Sequence, residues 1–276
     1  MGRFSGRVVI ITGASAGIGA AAARRFSKEG ARLVLAARRE AQLEAFAATL
    51  EGQALTVPCD VGREADCDRL LAEAERAFGG VDVLVNNAGL HRRGPAEGQE
   101  ASALARMVDV NLRAPIYLTR RVLPMLRARG GGAVVQVASL AGCVPLPDAA
   151  TYSATKFGLR AFSLALAEEL RGSGIRIGVV SPGPVDTGFI MDELHEVSDA
   201  TMSQPISTAD EVAAAVLDAA ERGGELKLPR VSGALTTVAY ALPAVARLMR
   251  PALEKKGRRV KADLAARRQD ARPAED

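Results

Sequence analysis

The sequence predicts an α/β fold, a doubly wound parallel sheet with helices on both faces. Three observations carry that expectation. Short β-branched runs alternate along the chain with longer Ala-, Leu- and Arg-rich stretches. The runs are short and mostly apolar, as expected for strands covered on both faces. A glycine-rich turn joins the first run to the first helical stretch.

The first strand is expected at Arg7–Thr12 and the first helix at 17–29. Arg32–Ala36 and a helix over 40–50 follow, then Ala54–Pro58 and a helix over 63–78. Val81–Val85 leads into a long helical stretch, 100–129, read as two helices adjoining near Asn111. Ala133–Ala138 precedes a helix over 151–171, and Ile175–Ser181 comes next. Thr208 with Glu211 forms a capping box that opens a helix over 208–220. Glu225–Leu228 is the seventh run. Strand–helix–strand units of this length make right-handed crossovers in one sheet. No internal repeat or Gly/Ser linker divides them, so residues 1–230 read as one nucleotide-binding and catalytic domain. Residues 231–276 read as a C-terminal extension.

Two stretches stand outside the alternation. Residues 186–207 have no clear period and follow a strand, which suits a lid over a site. Residues 231–249 are mostly apolar around Pro243, and a basic tail follows. The last residues, 267–276, are expected to be disordered.

Composition removes several classes of function. The chain has 276 residues, 48% hydrophobic and 25% charged, which is ordinary for a folded domain and too apolar for disorder throughout. Three cysteines without CxxC spacing and two histidines supply neither a disulfide framework nor a zinc site, so no metal is expected. The N-terminal MGRFSGRVVIITG lacks a signal-peptide pattern, and the expected location is the cytoplasm. The net charge is +4, but residues 250–276 carry nine Lys/Arg against five Asp/Glu. The rest of the chain has 27 of each sign, so no basic body is present for nucleic acid. Aromatics are 4% with no Trp, which also leaves few platforms for stacking bases.

The glycine-rich turn is Thr12-Gly13-Ala14-Ser15-Ala16-Gly17-Ile18-Gly19. At a strand-to-helix junction, Gly13 permits the tight turn, Gly17 lets backbone approach a pyrophosphate, and Gly19 lets helix and strand pack closely. The helix N-terminus then offers free N–H groups to an anion. The spacing is GxxxGxG instead of the commoner GxGxxG. After the second strand, where many dinucleotide folds place an acid for the ribose 2′-OH, the chain has Ala37, Arg38 and Arg39. An arginine matches a 2′-phosphate in charge and geometry, so NADP(H) is expected over NAD(H), with Arg38 as the contact and Ser15 assisting. The alternative is that both arginines are a solvated helix start.

Tyr152 and Lys156 lie one helical turn apart, so both can face one cleft. A free phenol has a pKa near ~10, too high for efficient proton exchange at neutral pH. A neighbouring ammonium is expected to lower it, making Tyr152 a general acid or base toward a carbonyl or alcohol.

Thr12–Gly19, Asn86-Asn87-Ala88-Gly89, Ser139, Tyr152-x-x-x-Lys156 and Pro182-Gly183 stand in the order and spacing of the short-chain dehydrogenase/reductase family. The chain resembles that family over residues 5–230. The resemblance implies a single Rossmann-type domain with a seven-stranded parallel sheet. It implies Tyr152 as catalytic acid/base, with Lys156 depressing its pKa and holding the nicotinamide ribose. Ser139 would hold the substrate oxygen, and Asn111 would link Lys156 to a proton relay. Asn87, Ala88 and Gly89 would support the adenosine side of the cofactor, Asp60 and Val61 would contact adenine, and Pro182, Gly183 and Thr187 would hold the nicotinamide end. Homodimers or homotetramers built on helices near 112–129 and 152–171 are implied as well.

The expected activity is therefore reversible hydride transfer between NADPH and a carbonyl or secondary alcohol. The competing reading is a nucleotide-sensing regulator without turnover. Loops near 90–98, 140–150 and 186–207 should build the substrate pocket. Leu140, Val144, Leu146, Phe189, Ile190 and Met191 suggest a medium-sized hydrophobic ketone. Cys143 is expected as a small wall residue of that pocket, and Cys59 and Cys67 as structural. His91, Arg92 and Arg93 read as solvated loop charges, with the site mouth as the alternative. Three readings stay open for 231–249: closing the pocket or a subunit interface, lying on a membrane surface, or spanning it.

Overall fold

The computed structural model describes residues 2–270. Seven strands form one parallel sheet: β1 (Val8–Thr12), β2 (Arg32–Ala37), β3 (Ala54–Pro58), β4 (Val83–Asn86), β5 (Gly132–Val137), β6 (Ile175–Pro182) and β9 (Gly224–Leu228). Their order is β3-β2-β1-β4-β5-β6-β9. The chain starts at β1, winds outward to β3, then returns and winds the other way, so the order reverses between β1 and β4. Ligands bind at the carboxyl ends of strands beside such a switch point.

The strand residues divide between two cores. Val9 and Ile11 of β1 face α1 (Gly17–Lys28), α2 (Glu40–Ala47) and α9 (Ala209–Arg222), packing with Phe26, Leu43 and Val216. Val8 and Ile10 face α3 (Glu64–Phe78), α5 (Ala114–Ala128) and α6 (Ala150–Glu169), packing with Leu70, Val122 and Leu166. Each fully buried Ile, Leu or Phe contributes roughly 1.5–3 kcal/mol. The two-sided burial accounts for the mostly apolar runs. The capping box opens α9 as the sequence predicts: Glu211 N donates to Thr208 Oγ1 at 3.1 Å, and Thr208 N donates to Glu211 Oε2 at 2.8 Å.

Several boundaries and two elements differ from expectation. α2 ends at Ala47, since Ala48-Thr49-Leu50 turn back on Phe46 and Ala47. The stretch 100–129 is α4 (Ala101–Val108) and α5 joined by a π-helical turn at Asp109–Arg113, where Ala114 N donates to Asp109 O. The stretch 186–207 holds short helices α7 (Gly188–Met191) and α8 (Asp199–Met202) and is bracketed by two-residue strands β7 (Val185–Asp186) and β8 (Ser207–Thr208), which pair with each other. These pieces were too short to leave a periodic signal.

The C-terminal extension is helical. α10 (Arg230–Ala241) packs on β9, and α11 (Pro243–Asp270) packs on α8. Residues 267–270, expected as disordered, continue α11, while 271–276 lie outside the described residues. No helix among the described residues is long and apolar enough to cross a membrane, because Arg247 and the helix break before Pro243 divide the apolar segment.

Candidate active site

The carboxyl ends of β1, β4, β5 and β6 open onto a cavity of about 460 Å³. Its floor is the glycine turn. Gly13 has φ +66°, and a β-carbon there would lie 2.9 Å from Ala88 Cα. A β-carbon at Gly19 would lie 2.2 Å from Gly13 O. Only glycine fits either place. Thr12 Oγ1 accepts the N–H groups of Asn87 and Ala88, both at 3.0 Å, and Asn87 Nδ2 donates to Thr12 O at 2.9 Å. The turn and the Asn86–Gly89 corner are thus one hydrogen-bonded unit. α1 begins at Gly17 behind Ala16, which provides no side-chain cap. Its first N–H groups are left to whatever occupies the cavity.

Of the residues singled out from sequence, Gly13, Gly17, Ile18, Asn87, Ala88 and Gly89 line one side of the cavity. Ser139, Tyr152, Lys156, Pro182, Gly183 and Thr187 line the other. Ser15, Gly19, Arg38, Asp60, Val61 and Asn111 stand outside that wall. Arg39, not Arg38, reaches the cavity. The Asp60 carboxylate is held by Arg106 and accepts Gly62 N at 3.0 Å. Burial pushes its pKa up, but Arg106, Gly62 and the nearby charge of Arg38 outweigh that and hold it below the usual carboxylate range. Val61 is buried in the core.

Ser139 stands at the end of β5 as the cap of a short turn, its Oγ accepting Ala141 N at 3.1 Å. Tyr152 and Lys156 extend from the first turns of α6. Ser139 faces the Tyr152 hydroxyl and favours its charged form. Lys156 Nζ donates to Val137 O at 2.9 Å and lies 5.7 Å from the centre of the Tyr152 ring. Burial lowers the Lys156 pKa to about 8.

The expected depression of the Tyr152 pKa is not what this geometry produces. Burial raises the phenol above its usual range, and Ser139 and the Arg93 charge oppose this only partly. Lys156 meets the ring and Val137, so its charge does not offset the desolvation.

Asn111 sits in the π turn, fully buried. Its amide accepts Leu90 N and donates to Leu90 O, both at 2.8 Å, and its Nδ2 lies 3.4 Å from Thr155 Oγ1. A β-carbon on Gly89 would lie 3.4 Å from Asn111 Oδ1 and 3.9 Å from Lys156 Nζ, so both groups meet at that glycine.

The loop after Gly89 corrects a second expectation. His91 stacks on Tyr152, ring centres 4.0 Å apart and planes 16° apart. Its Nε2 is buried without a hydrogen-bond partner. Burial, with Arg93 and Lys156 nearby, lowers its pKa to about 3, so the ring is neutral. The Arg93 side chain is 4% exposed, paired with Glu193, donates to Phe189 O at 2.8 Å and lies over the Phe189 ring. Both residues are therefore built into the site, and Arg93 fastens segment 186–207 across the cavity. Consecutive His-Arg-Arg in a loop gave no periodic signal of this.

The outer wall is apolar, with Leu140, Val144, Leu146, Phe189 and Ile190. Met191 and Cys143 are buried elsewhere, contrary to expectation. Among the described residues the wall takes none beyond Gln204, so the described part of 231–249 does not close it. His195 is exposed beside Glu196. Chemically, the arrangement can bind an anion at α1, hold an oxygen between two hydroxyls, and deliver a proton from a phenol beside a buried ammonium.

The short chain dehydrogenase family model matches residues 7–198. Human dehydrogenase/reductase SDR family member 4 is 35% identical over 190 residues, covering 67% of this chain and 68% of that protein. The ketoacyl reductase HetN of Nostoc sp. is 35% identical over 221 residues, covering 78% of this chain and 77% of that protein. Among solved structures, levodione reductase superposes with a TM-score of 0.77 at 28% identity, over 84% of this chain and 99% of that one. A Brucella melitensis 3-ketoacyl-(acyl-carrier-protein) reductase complexed with NADH gives 0.75 at 32% identity, over 81% and 97%.

Proposed function

The chain belongs to the short-chain dehydrogenase family, and on that footing we propose that it is an NADPH-dependent carbonyl reductase for medium-sized apolar ketones. The observation that carries this reading is the meeting of Ser139, Tyr152 and Lys156 at one end of a cavity whose outer wall is apolar. The residues fit a dinucleotide. α1 has an uncapped N-terminus at the cavity floor, and Gly13 and Gly17 line it without side chains of their own. The end of β2 offers Arg39 in the wall with Arg38 beside it, and no acid, to a 2′-phosphate. Lys156 and Thr187 would hold the nicotinamide half.

When bound, the cofactor supplies the hydride. Ser139 and Tyr152 donate hydrogen bonds to the carbonyl oxygen, where negative charge grows as the carbonyl is reduced. Tyr152 then gives its proton to that oxygen, forming the alcohol, and Ser139 and the Arg93 charge favour the resulting phenolate. A phenol held neutral at physiological pH is suited to the acid role, and so to the reductive direction. His91 keeps the phenol ring in place by stacking and offers its neutral Nε2 to the substrate. Asn111 acts through Leu90 and Gly89 on the position of Lys156; it is a positioning residue.

The protein works as a homodimer or homotetramer with contacts on α5 and α6, and in the cytoplasm, where its three free, buried cysteines suit a reducing milieu. The test is NADPH and NADH consumption against a panel of ketones, with Tyr152→Phe in parallel and light scattering for the assembly. Turnover with NADPH on apolar ketones, lost in Tyr152→Phe, supports the proposal. Equal rates with NADH, undiminished by Arg39→Ala and Arg38→Ala, would overturn the cofactor preference. Tight cofactor binding with no turnover of any ketone would favour the sensor reading.

A further inference from the structure

We propose that α10 and α11 form a surface that docks on an anionic phospholipid bilayer, lying on it without crossing. The amphipathicity of α10 is reversed relative to a helix packed on a domain. Its buried face is Ser232, Gly233 and Thr236, set against β9, where a β-carbon at Gly233 would lie 2.4 Å from Lys227 Cβ. Its outward face is Val231, Leu235 and Val238, continued by Leu242, spaced i, i+4, i+7 and i+11 and each more than half exposed. Soluble domains scatter exposed apolar side chains singly; a stripe of them marks a contact surface.

α11 extends the pattern. Val245, Leu248, Met249 and Leu253 share one exposed face, with Leu248 83% exposed. Lys256 and Arg259 continue that face at i+3 steps, with Lys255 beside them. The opposite face is tied to the body. Gly257 presses on the Asp199 backbone, and Arg258 and Lys261 reach the Asp199 carboxylate at 3.4 and 3.0 Å. Residues 230–263 carry eight Lys/Arg and two acids, Glu254, which is paired with Arg250 at 2.7 Å, and the exposed Asp263.

Charge selects the occupant. A second copy meeting this face would bring Lys255, Lys256 and Arg259 against the same cations, with Asp263 the one acid at the end of the face to pair them. Anionic headgroups complement the cations while the acyl boundary takes the apolar stripe. The length and interruptions of these helices suit a surface position, in keeping with the lack of a spanning helix among the described residues.

The chain has no Trp, so Leu248→Trp in the full-length protein is a silent-background reporter. With phosphatidylcholine–phosphatidylserine vesicles its emission should shift to the blue and be quenched by brominated acyl chains. Phosphatidylcholine alone should give much weaker binding, and added salt should release the protein. Each of Lys255→Gln, Lys256→Gln and Arg259→Gln should weaken binding about fivefold. Leu235→Glu with Val238→Glu should abolish co-sedimentation while cofactor binding and oligomeric state stay unchanged, which separates this result from any failure of the reductase reading. An unshifted spectrum with the mixed vesicles overturns the proposal. So does a smaller assembly in the Leu235→Glu/Val238→Glu protein, which would make the face a contact between copies.

Discussion

His91 should make the fold acid-sensitive, and the size of the effect follows from its burial. Its imidazole titrates at its ordinary 6.5 when the chain is unfolded and at about 3 when folded. The folded pKa is depressed, so the unfolded chain binds the extra proton in the window between those values. The stability tied to the neutral ring is complete above 6.5 and is lost as pH falls toward 3. From about pH 7.5 to about pH 5, the unfolded chain gains nearly one proton that the folded chain refuses, which costs about 2 kcal/mol. Any folded value below about 4 gives the same cost, because the folded ring is then neutral at both pH values. His91→Phe keeps a flat ring over Tyr152 and removes the titration. Urea unfolding of both cofactor-free proteins at the two pH values isolates the term, since the carboxylates contribute equally to each. The wild type should lose about 2 kcal/mol more than the variant on acidification. If the two proteins lose the same stability to within about 0.5 kcal/mol, His91 is not held neutral by burial and the stacked geometry is wrong.

Three other outcomes are expected. Ser139→Ala should lower kcat by about 10²–10³ with little change in cofactor affinity, read from steady-state rates and a binding titration, because one of two donors to the substrate oxygen is removed. The Lys156 pKa of about 8 should give kcat/KM for NADPH an alkaline limb that falls as the ammonium is lost near pH 8, and Lys156→Arg should move that limb upward in the pH profile. Arg93→Met should loosen segment 186–207 from Phe189 and Glu193, raising the substrate KM by about tenfold while kcat changes by less than about twofold.

The central strands were legible because burial on both faces writes a largely apolar run, as in Val8–Thr12, while the edge strand β9 alternates Glu225, Leu226, Lys227 and Leu228. The glycine turn was legible because backbone crowding at Gly13 and Gly19 forbids any side chain, and crowding of that kind leaves a mark in composition. The Tyr152–Lys156 pair shows in the sequence because one helical turn fixes its spacing. What was illegible depends on contacts between distant segments. Arg93 becomes a buried tether only by meeting Glu193, a hundred residues away, and His91 joins the site only because α6 brings Tyr152 under it. Placing Cys143 in the pocket failed for the same reason: the turn after Ser139 directs Leu140 and Val144 to the cavity and Cys143 away from it. The π turn at 109–113 is a difference of one residue in hydrogen-bond span, and apolar periodicity over a long helix is too coarse to register it.

That extra residue sets the rotational phase between α4 and α5. Winding all five residues of Asp109–Arg113 as ordinary α-helix would turn α4 by about 100° about the shared axis relative to its present place. Met107, now fully buried, would swing toward water, and the 39% exposed Val108 would turn with it. The inward aim of Asn111 is thus written in chain length as much as in side-chain chemistry. An insertion or deletion here would misdirect a buried amide without touching any residue of the cavity wall.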